Sequence, residues 1–305
     1  MKKWFFLLVL LLIVSYGYTR FLPADTNGQL PEIDYQMQEE ILQENDKAVP
    51  VTIEDIYKGN LVLINEEYPV SPSGAESEAI TLSDHWESVN GFVLLDHNIR
   101  LAPSLLRSFS TMIEAASHDG VNHFMLTSGY RDTLEQGELY EELGPEYALP
   151  AGHSEHNLGL ALDIGSTQGE MAHAAEGKWL KENAWKYGFI LRYPEDKTHI
   201  TGIQYEPWHF RYVGLPHSAI MYEKNFVLEE YLDFVKEQKS IVITLDEQVY
   251  EISYHPISQS TTIQVSANDS YEISGNNMDG VIMTVHTSNQ DETQSNAARS
   301  EGNGV

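Results

Sequence analysis

Apolar residues are unevenly distributed along the chain, and the first block of them lies at its start. Residues 4–14 are apolar without interruption, and Lys2 and Lys3 stand before them. A positive start followed by an apolar run indicates an export signal with its N-terminus in the cytoplasm. Because bulky tyrosines such as Tyr16 replace the small residues that favour cleavage, we expect residues 1–19 to form a single-pass membrane anchor. The rest of the chain would then be extracytoplasmic, and a cleaved, secreted form is the alternative.

The next segment, residues 20–50, has no sustained apolar period. It is acidic and rich in Gln, and it contains three prolines. This composition is typical of a solvated tether, so we expect a flexible acidic linker over residues 20–50 and ordered structure from about residue 51. The apolar run 61–64, which follows Gly59, predicts the first strand.

Between residues 51 and 239 the apolar pattern alternates between helical and strand-like periods. After Pro103, six apolar residues recur at helical spacing, and Gly120 follows them. The six are Leu105, Leu106, Phe109, Met112, Ile113 and Ala116. The other predicted elements are strands over 123–128, 158–164 and 189–193 and helices over 177–187 and 218–239. This mixed order predicts an α+β domain over residues 51–239.

Four short β runs follow the last predicted helix, between residues 240 and 286. Turn residues such as Gly275 and Asn276 separate them. They predict a small all-β appendage at the C-terminal side of the main domain. From 287 to 305 the chain is polar and poor in apolar residues, so we expect a disordered tail there.

Composition narrows the classes of function. The chain has 305 residues, of which 42% are apolar, and its 17 Tyr, 10 Phe and 5 Trp suit a packed globule. The formal charge of -28 argues against nucleic acid as a partner, because neutralising phosphates requires a surplus of Lys and Arg. There is no cysteine, which excludes a thiolate metal site and a Cys nucleophile. Any metal must therefore be held by His and carboxylates.

Three short segments combine residue types that carry hydrolytic chemistry. They are residues 128–131, 154–163 and 206–209. His156, Asp163 and His209 would provide two imidazoles and a carboxylate, a three-ligand set that leaves one tetrahedral position of a catalytic zinc open for water. Glu206, three residues before His209, is then placed to act as general base on that water.

Each of these residues also has an ordinary structural interpretation. The chain has 12 histidines, and any one of them taken alone is more commonly a surface or hydrogen-bonded residue than a ligand. Asp163 ends the apolar run 160–162, where an unpaired carboxylate is costly to bury unless a metal or a cation relieves it. Arg131 suits a structural salt bridge as well as it suits binding a peptide's terminal carboxylate or the oxyanion of its scissile carbonyl.

The spacing of Glu206 and His209 raises a geometric problem. On a regular strand, side chains three residues apart face opposite ways, whereas Glu206 and His209 should reach one centre. Pro207 keeps Glu206 extended. We therefore expect a local irregularity around residues 207–208 before a strand continues from Phe210.

Together the three segments resemble the VanY-type D-alanyl-D-alanine carboxypeptidases, whose pattern is S-G-Y-R, S-x-H-x-x-G-x-A-x-D and E-x-W-H. Residues 185–194 and 205–214 are similar in particular to the membrane-bound form of VanB-type glycopeptide-resistance clusters, and the likeness covers residues 50 to 285. The resemblance implies a small α+β domain whose antiparallel sheet carries one zinc ion (Zn2+) per chain. The implied zinc ligands are His156, Asp163 and His209.

The resemblance also implies residue roles and a substrate. Glu206 would be the catalytic base, and Arg131 would stabilise the oxyanion or hold the substrate. Ser154 and Gln136 would contact the substrate. The implied reaction removes the terminal D-Ala from peptidoglycan precursor peptides ending in D-Ala-D-Ala, which lowers the number of glycopeptide-antibiotic targets and links the family to vancomycin resistance.

Two other functions are compatible with the same residues. An L,D-carboxypeptidase would use the same metal site to trim a tetrapeptide at L-Lys–D-Ala, although the closer VanY resemblance favours the D,D activity. A non-catalytic wall-binding module would close its metal with a fourth protein ligand, for which His153 or His199 could serve. The presence of Glu206 argues against such a module.

Overall fold

The computed structural model describes residues 46–72, 79–88, 91–144 and 148–287. The expected anchor over 1–19 and most of the expected linker lie outside the described residues. The expected disordered tail also lies outside them, apart from Thr287, which ends a strand. None of the helices in the described ranges is long and apolar enough to cross a membrane.

The described part of the chain combines thirteen strands with six α-helices, most of them short. The strands are β1 (Asp46–Val51), β2 (Ile80–Thr81), β3 (Phe92–Leu94), β4 (Arg100–Leu101), β5 (Phe124–Ser128), β6 (Ala161–Ser166), β7 (Phe189–Leu191), β8 (His209–Tyr212), β9 (Ser240–Leu245), β10 (Gln248–Pro256), β11 (Thr261–Ser266), β12 (Ser270–Gly275) and β13 (Gly280–Thr287). The α-helices are α1 (Pro103–His118), α2 (Thr133–Leu143), α3 (Ala175–Asn183), α4 (Thr198–Thr201), α5 (His217–Lys224) and α6 (Leu228–Gln238).

A five-stranded sheet lies at the centre of the predicted α+β domain, in the order β3-β5-β6-β8-β7. Its neighbouring strands are antiparallel except for β3 and β5, which are parallel. Helix α1 starts with Pro103 at its first turn, where the missing N–H costs nothing, and it buries all six predicted apolar residues. Phe109 on this helix shares one apolar core with Phe124, Leu162 and Phe210 of the sheet. The α+β class with an antiparallel sheet is confirmed.

The C-terminal strands form a second antiparallel sheet in the order β12-β13-β10-β9. Helix α6 packs against it, and Tyr231 and Val235 of the helix lie in the same buried cluster as Ile243 and Ile252 of the sheet. The predicted appendage therefore shares a core with the helices that precede it. The C-terminal sheet therefore packs on the main domain and does not stand apart from it.

Four boundary predictions were wrong for local reasons. Strand β1 pairs with β11 over Asp46–Val51, so ordered structure begins earlier than the expected linker allowed. The run 61–64 is buried but forms no strand, because its N–H groups bond elsewhere: that of Leu61 donates to the Ser274 hydroxyl and that of Leu63 to the Asn276 carbonyl.

The other two concern helices. The expected helix 218–239 is two helices, α5 and α6, because Asn225 adopts a left-handed conformation (φ 52°) between them. The expected helix 177–187 is α3 followed by a 3-10 turn over Ala184–Tyr187. Gly188 ends that turn at φ 85°, and a Cβ there would lie only 2.7 Å from the Tyr212 ring. Glycine is thus required where β7 begins.

Candidate active site and metal centre

The three expected metal ligands meet at the middle of the central sheet. Asp163 on β6 and His209 on β8 are partners across the antiparallel ladder, and His156 lies in the 3-10 turn Glu155–Leu158 just before β6. Nδ1 of His209 is 3.1 Å from Oδ1 of Asp163, and Nε2 of His156 is 3.3 Å from its Oδ2. The donor atoms all lie within 4.8 Å of one another, so a single ion can be bound by all three.

The second nitrogen of each imidazole is bonded to the protein. Nδ1 of His156 is 2.6 Å from the carbonyl oxygen of Gly129, and Nε2 of His209 is 3.3 Å from Oε2 of Glu155. Because a carbonyl and a carboxylate only accept, each imidazole donates there, and its other nitrogen, which faces Asp163, can give a lone pair to a metal once any proton on it is released. Two imidazole lone pairs and one carboxylate are a donor set that zinc binds, so the residues fit the metal.

The centre is open rather than closed by a fourth protein ligand. His153 and His199 were the residues that could have closed it, and neither belongs to the cluster that the described residues form. Nδ1 of His153 instead lies 2.9 Å from the carbonyl oxygen of Asn65. An open position is a feature of catalytic zinc sites, whereas structural sites are closed.

Burial and mutual hydrogen bonds set the pKa values of the ligands. Burial acts to raise the pKa of Asp163, but contacts with His156 and His209 outweigh it and hold that pKa well below its usual range. Burial lowers the pKa of His156. Burial also acts to lower the pKa of His209, but its hydrogen bonds to Asp163 and Glu155 raise that pKa to about 9. Asp163 and His156 are thus in their metal-binding protonation states, whereas His209 releases a proton when metal binds.

Glu206 reaches the centre because the chain turns at residues 207–208. The N–H of His209 donates to the carbonyl oxygen of Glu206 at 3.2 Å, and this turn brings Oε2 of Glu206 within 3.8 Å of Nδ1 of His209. The irregularity expected before the strand is therefore confirmed. Burial raises the pKa of Glu206 against the opposing charge of His209. A carboxyl group with a raised pKa is suited to accept a proton and to return it.

Arg131 is fixed by its backbone but not by its side chain. Its N–H donates to the carbonyl oxygen of His156 at 3.2 Å, and its own carbonyl accepts from Nδ2 of Asn157 at 2.7 Å. Its Nε is buried and has no hydrogen-bond partner. Burial lowers the pKa of Arg131, while the charges of Asp163 and Glu206 act to raise it. Since a buried donor without a partner is costly, the Arg131 guanidinium is available to a bound anion.

Ser154 and Gln136, the other two predicted substrate-binding residues, are both buried. The hydroxyl oxygen of Ser154 accepts from the N–H of His156 at 3.3 Å, so Ser154 caps the turn that carries the ligand. Nε2 of Gln136 donates to the carbonyl oxygen of Leu149 at 2.6 Å, while its Oε1 has no partner. Their contact with substrate stays a prediction.

A cleft of about 240 Å³ adjoins the centre at Tyr193. The Tyr193 ring packs 4.9 Å from the imidazole of His209, measured between ring centroids. Glu66, Glu67 and Leu149 also line this cleft. Tyr193 is the lining residue that connects this cleft with His209.

Sequence reasoning missed a buried ionic network behind His209. Oε1 of Glu155 accepts from Nε of Arg192 and from Nη1 of Arg211, both at 2.8 Å. Arg192 also forms a bidentate pair with Glu229 on α6, at 2.7 and 2.8 Å. The side chains of Glu155, Arg192 and Arg211 are completely shielded from solvent.

One signal could have revealed this network. Arg192 and Arg211 interrupt apolar stretches that predict strands, at 189–193 and from Phe210 onward. A charge inside a buried strand must be paired, so two such arginines require buried carboxylates. Nothing in the sequence, however, indicates that Glu155 is the carboxylate they share.

Comparisons with known proteins identify a family for this chain. The family model VanY, D-alanyl-D-alanine carboxypeptidase, matches residues 98–215. A D-alanyl-D-alanine carboxypeptidase from Enterococcus faecium is 53% identical over 292 residues, which cover 93% of this chain and 96% of that protein.

Two solved structures are also similar. One is the vancomycin-resistance D,D-dipeptidase VanXYg in complex with a D-Ala-D-Ala phosphinate analogue, with a TM-score of 0.70 and 32% identity over 79% of this chain and 99% of that one. The other is a D,D-pentapeptidase VanY mutant from a VanB-type resistance cassette in complex with Zn(II). It is 32% identical, covers 57% of this chain and 98% of that one, and has a TM-score of 0.47.

Proposed function

This chain belongs to the VanY family of D-alanyl-D-alanine carboxypeptidases, and from that premise we propose that it is a zinc-dependent D,D-carboxypeptidase. Its substrates are peptidoglycan precursor pentapeptides ending in D-Ala-D-Ala, from which it releases the last D-Ala. The observation that carries this function is an open three-ligand centre with Glu206 and the partly unpaired Arg131 beside it. Loss of D-Ala-D-Ala ends removes the target of glycopeptide antibiotics, which connects the activity to vancomycin resistance.

His156, Asp163 and His209 would hold the zinc, which would supply Lewis-acid polarisation of the scissile carbonyl and activation of water. Glu206 takes a proton from the attacking water as the new C–O bond forms. It then gives that proton to the nitrogen of the departing D-Ala as the C–N bond breaks.

Arg131 explains why the cut is terminal. Its guanidinium can donate two parallel hydrogen bonds to the free carboxylate of the last D-Ala, or it can stabilise the oxyanion on the adjacent carbonyl. The backbone N–H of Arg131 donates a hydrogen bond to the His156 carbonyl oxygen, so the base of the Arg131 side chain is fixed relative to a metal ligand. The rest of the peptide would follow the cleft beside Tyr193.

The test measures metal content and D-Ala release on the same purified protein. We expect one zinc per chain, loss of activity with a strong chelator, and recovery when zinc is added back. A pentapeptide ending in D-Ala-D-Ala should be cleaved faster than a tetrapeptide ending in L-Lys–D-Ala, and amidating the pentapeptide end should weaken cleavage sharply.

Several results would contradict this function. Full activity in a metal-free sample would remove the zinc mechanism. Faster cleavage of the tetrapeptide would move the assignment to an L,D-carboxypeptidase and leave the metal chemistry standing. Zinc binding without any turnover would instead fit a non-catalytic wall-binding module.

We also propose that residues 1–19 anchor the protein in the cell membrane, with the catalytic region outside the cytoplasm. The support is the apolar run 4–14 behind Lys2 and Lys3. A chain beginning at residue 25 should then be soluble and active on small peptides, while the full-length chain should fractionate with membranes. Finding the full-length product mainly in the extracellular medium, trimmed near residue 20, would show cleavage instead.

A further inference from the structure

The two oxygens of the buried Glu155 carboxylate have different partners. Oε1 faces Arg192 and Arg211, and Oε2 faces Nε2 of His209 at 3.3 Å. Glu155 is next to a metal ligand in the sequence, but it contacts the other imidazole ligand, 54 residues away. It lies on the side of His209 that faces away from Asp163, so it is not a metal ligand itself.

The carboxylate is held so that it cannot exchange its two oxygens freely. Nη1 and Nη2 of Arg192 are both bonded to Glu229 on α6, which leaves Nε for Glu155. Nη2 of Arg211 donates to the carbonyl oxygens of Asn60 and Val62, both at 2.9 Å, which leaves Nη1 for Glu155. Two fixed guanidinium groups thus point at the same oxygen.

From this geometry we infer that Glu155 is the positioning residue for His209: it fixes the ring orientation and the tautomer that present Nδ1 to the zinc. A carboxylate flanked by two guanidinium groups only accepts hydrogen bonds, so Nε2 of His209 must carry the proton. The carbonyl of Gly129 imposes the opposite tautomer on His156, through a proton on Nδ1. The two imidazole ligands therefore bind through different nitrogens, Nε2 in His156 and Nδ1 in His209.

The network is better explained by positioning than by stability alone. Buried ion pairs contribute little net stability, because desolvation offsets most of their attraction. Apolar side chains would fill the space behind His209 without the desolvation cost of four charged groups. Hydrogen-bond partners in the outer shell of a metal site, by contrast, hold its ligands in orientation. This inference rests on the zinc centre of the proposed function.

The decisive variant is Glu155→Gln, which keeps the shape of the side chain. The two arginines can only donate, so the Gln carbonyl oxygen must face them and its NH2 group must face His209. Nε2 of His209 then becomes an acceptor, and the proton moves to Nδ1, the nitrogen that faces the metal. We expect zinc affinity, measured by competition with a chromophoric chelator, to fall by about 10–100-fold.

Two further variants separate positioning from folding. Glu155→Gln combined with Arg211→Gln keeps the network neutral and should show the same loss of zinc affinity if the single variant does not fold. Glu229→Gln is the matched control, because it removes a charge from the same network without touching His209. It should lower stability and leave zinc affinity unchanged.

A measurement on the unaltered protein makes the test independent of any variant. In 15N-labelled, zinc-loaded protein, long-range 1H–15N spectra should show one ligand histidine protonated at Nε2 and one protonated at Nδ1. Two ligand histidines with the same tautomer would overturn the inference, as would unchanged zinc affinity in the Glu155 variants. Failure of the unaltered protein to bind zinc would overturn the proposed function instead.

Discussion

The two sides of His209 treat buried arginines in opposite ways. Behind the ring, every guanidinium nitrogen of Arg192 and Arg211 has a hydrogen-bond partner. In front of it, Arg131 is held by its backbone while its Nε is buried without a partner. All three arginines lie near the metal ligands, so the difference reflects the separate roles of the two sides, one structural and one catalytic.

Whether a buried charge is fully hydrogen-bonded within the fold distinguishes a structural charge from a functional one. A fully paired buried charge interacts only with other groups of the fold. Removing one member of the pair leaves the other as an uncompensated buried charge, which destabilises the folded state. A buried donor without a partner retains an interaction that only a ligand can complete. Loss of Arg192 should therefore act on stability, and loss of Arg131 should act on catalysis.

The largest effect is expected in front of the ring, at Glu206. Glu206→Gln keeps the size of the side chain but cannot accept the proton from water, so kcat should fall by about 10²–10⁴-fold. Zinc content should stay at the level of the unaltered protein, because Glu206 is not among the three ligands. Activity that survives this change would show that the base is wrongly assigned.

The matching change behind the ring is Arg192→Met. It leaves the carboxylates of Glu155 and Glu229 short of a buried partner, so the free energy of unfolding should fall by about 3–5 kcal/mol in denaturant titrations. Arg131→Met, measured in the same way, should change stability much less. Equal destabilisation by both variants would remove the distinction between the two sides.

Arg131 itself should produce a catalytic loss of intermediate size. Arg131→Ala removes a donor to the carboxylate or the oxyanion, and kcat/KM on the pentapeptide should fall by about 10²–10³-fold. Arg131→Lys should restore only part of this, because an ammonium cannot reproduce the bidentate fork. If Arg131 binds the terminal carboxylate, amidating the peptide should cost the Ala variant much less than it costs the unaltered enzyme.

The smallest effect concerns a buried imidazole away from the metal. Nδ1 of His217 lies 2.6 Å from the Tyr231 hydroxyl, and its Nε2 lies 3.1 Å from that of Thr284 on the C-terminal sheet. Burial, with a smaller contribution from His286, lowers the pKa of His217 from 6.5 to about 3. Because the folded pKa is depressed, its stabilising effect is complete above pH 6.5 and is lost as the pH falls toward 3.

At pH 5 this histidine should cost the folded state about 2 kcal/mol relative to neutral pH. His217→Gln cannot titrate, so its unfolding free energy should decrease less between pH 7 and 5 than that of the unaltered protein. Comparing the two curves cancels the contributions of the other histidines. Identical pH dependence in both would show that His217 does not titrate differently on folding.

The sequence was most informative where chemistry and local spacing coincide. Asp163 could be selected because an acid at the end of an apolar run is unusual, and His209 because it stands with Glu206 in a segment of residue types that carry hydrolytic chemistry. The turn at 207–208 followed from the geometric conflict between Glu206 and His209. Helix α1 followed from Pro103 and six apolar positions.

What the sequence did not reveal depends on contacts between distant segments. Glu155 gains its role from Arg192, which follows β7, and from Arg211 on β8. Hydropathy does not indicate which carboxylate meets which guanidinium. The break at Asn225 depends on one left-handed residue inside an unbroken amphipathic pattern. Pairing of β1 with β11 was equally hidden, because a short strand in a polar segment has no local signal for its partner.

That last pairing has a consequence for how the protein is made. Strand β1 leaves the ribosome about 200 residues before its partner β11. Until then the backbone groups of β1 must bond to water, while the helices and the sheet that carry the metal ligands already have their partners. Strand β1, the first described strand, is thus among the last to find its partner. A ribosome that stops before β11 leaves a complete set of metal ligands on a chain whose β1 is still unpaired.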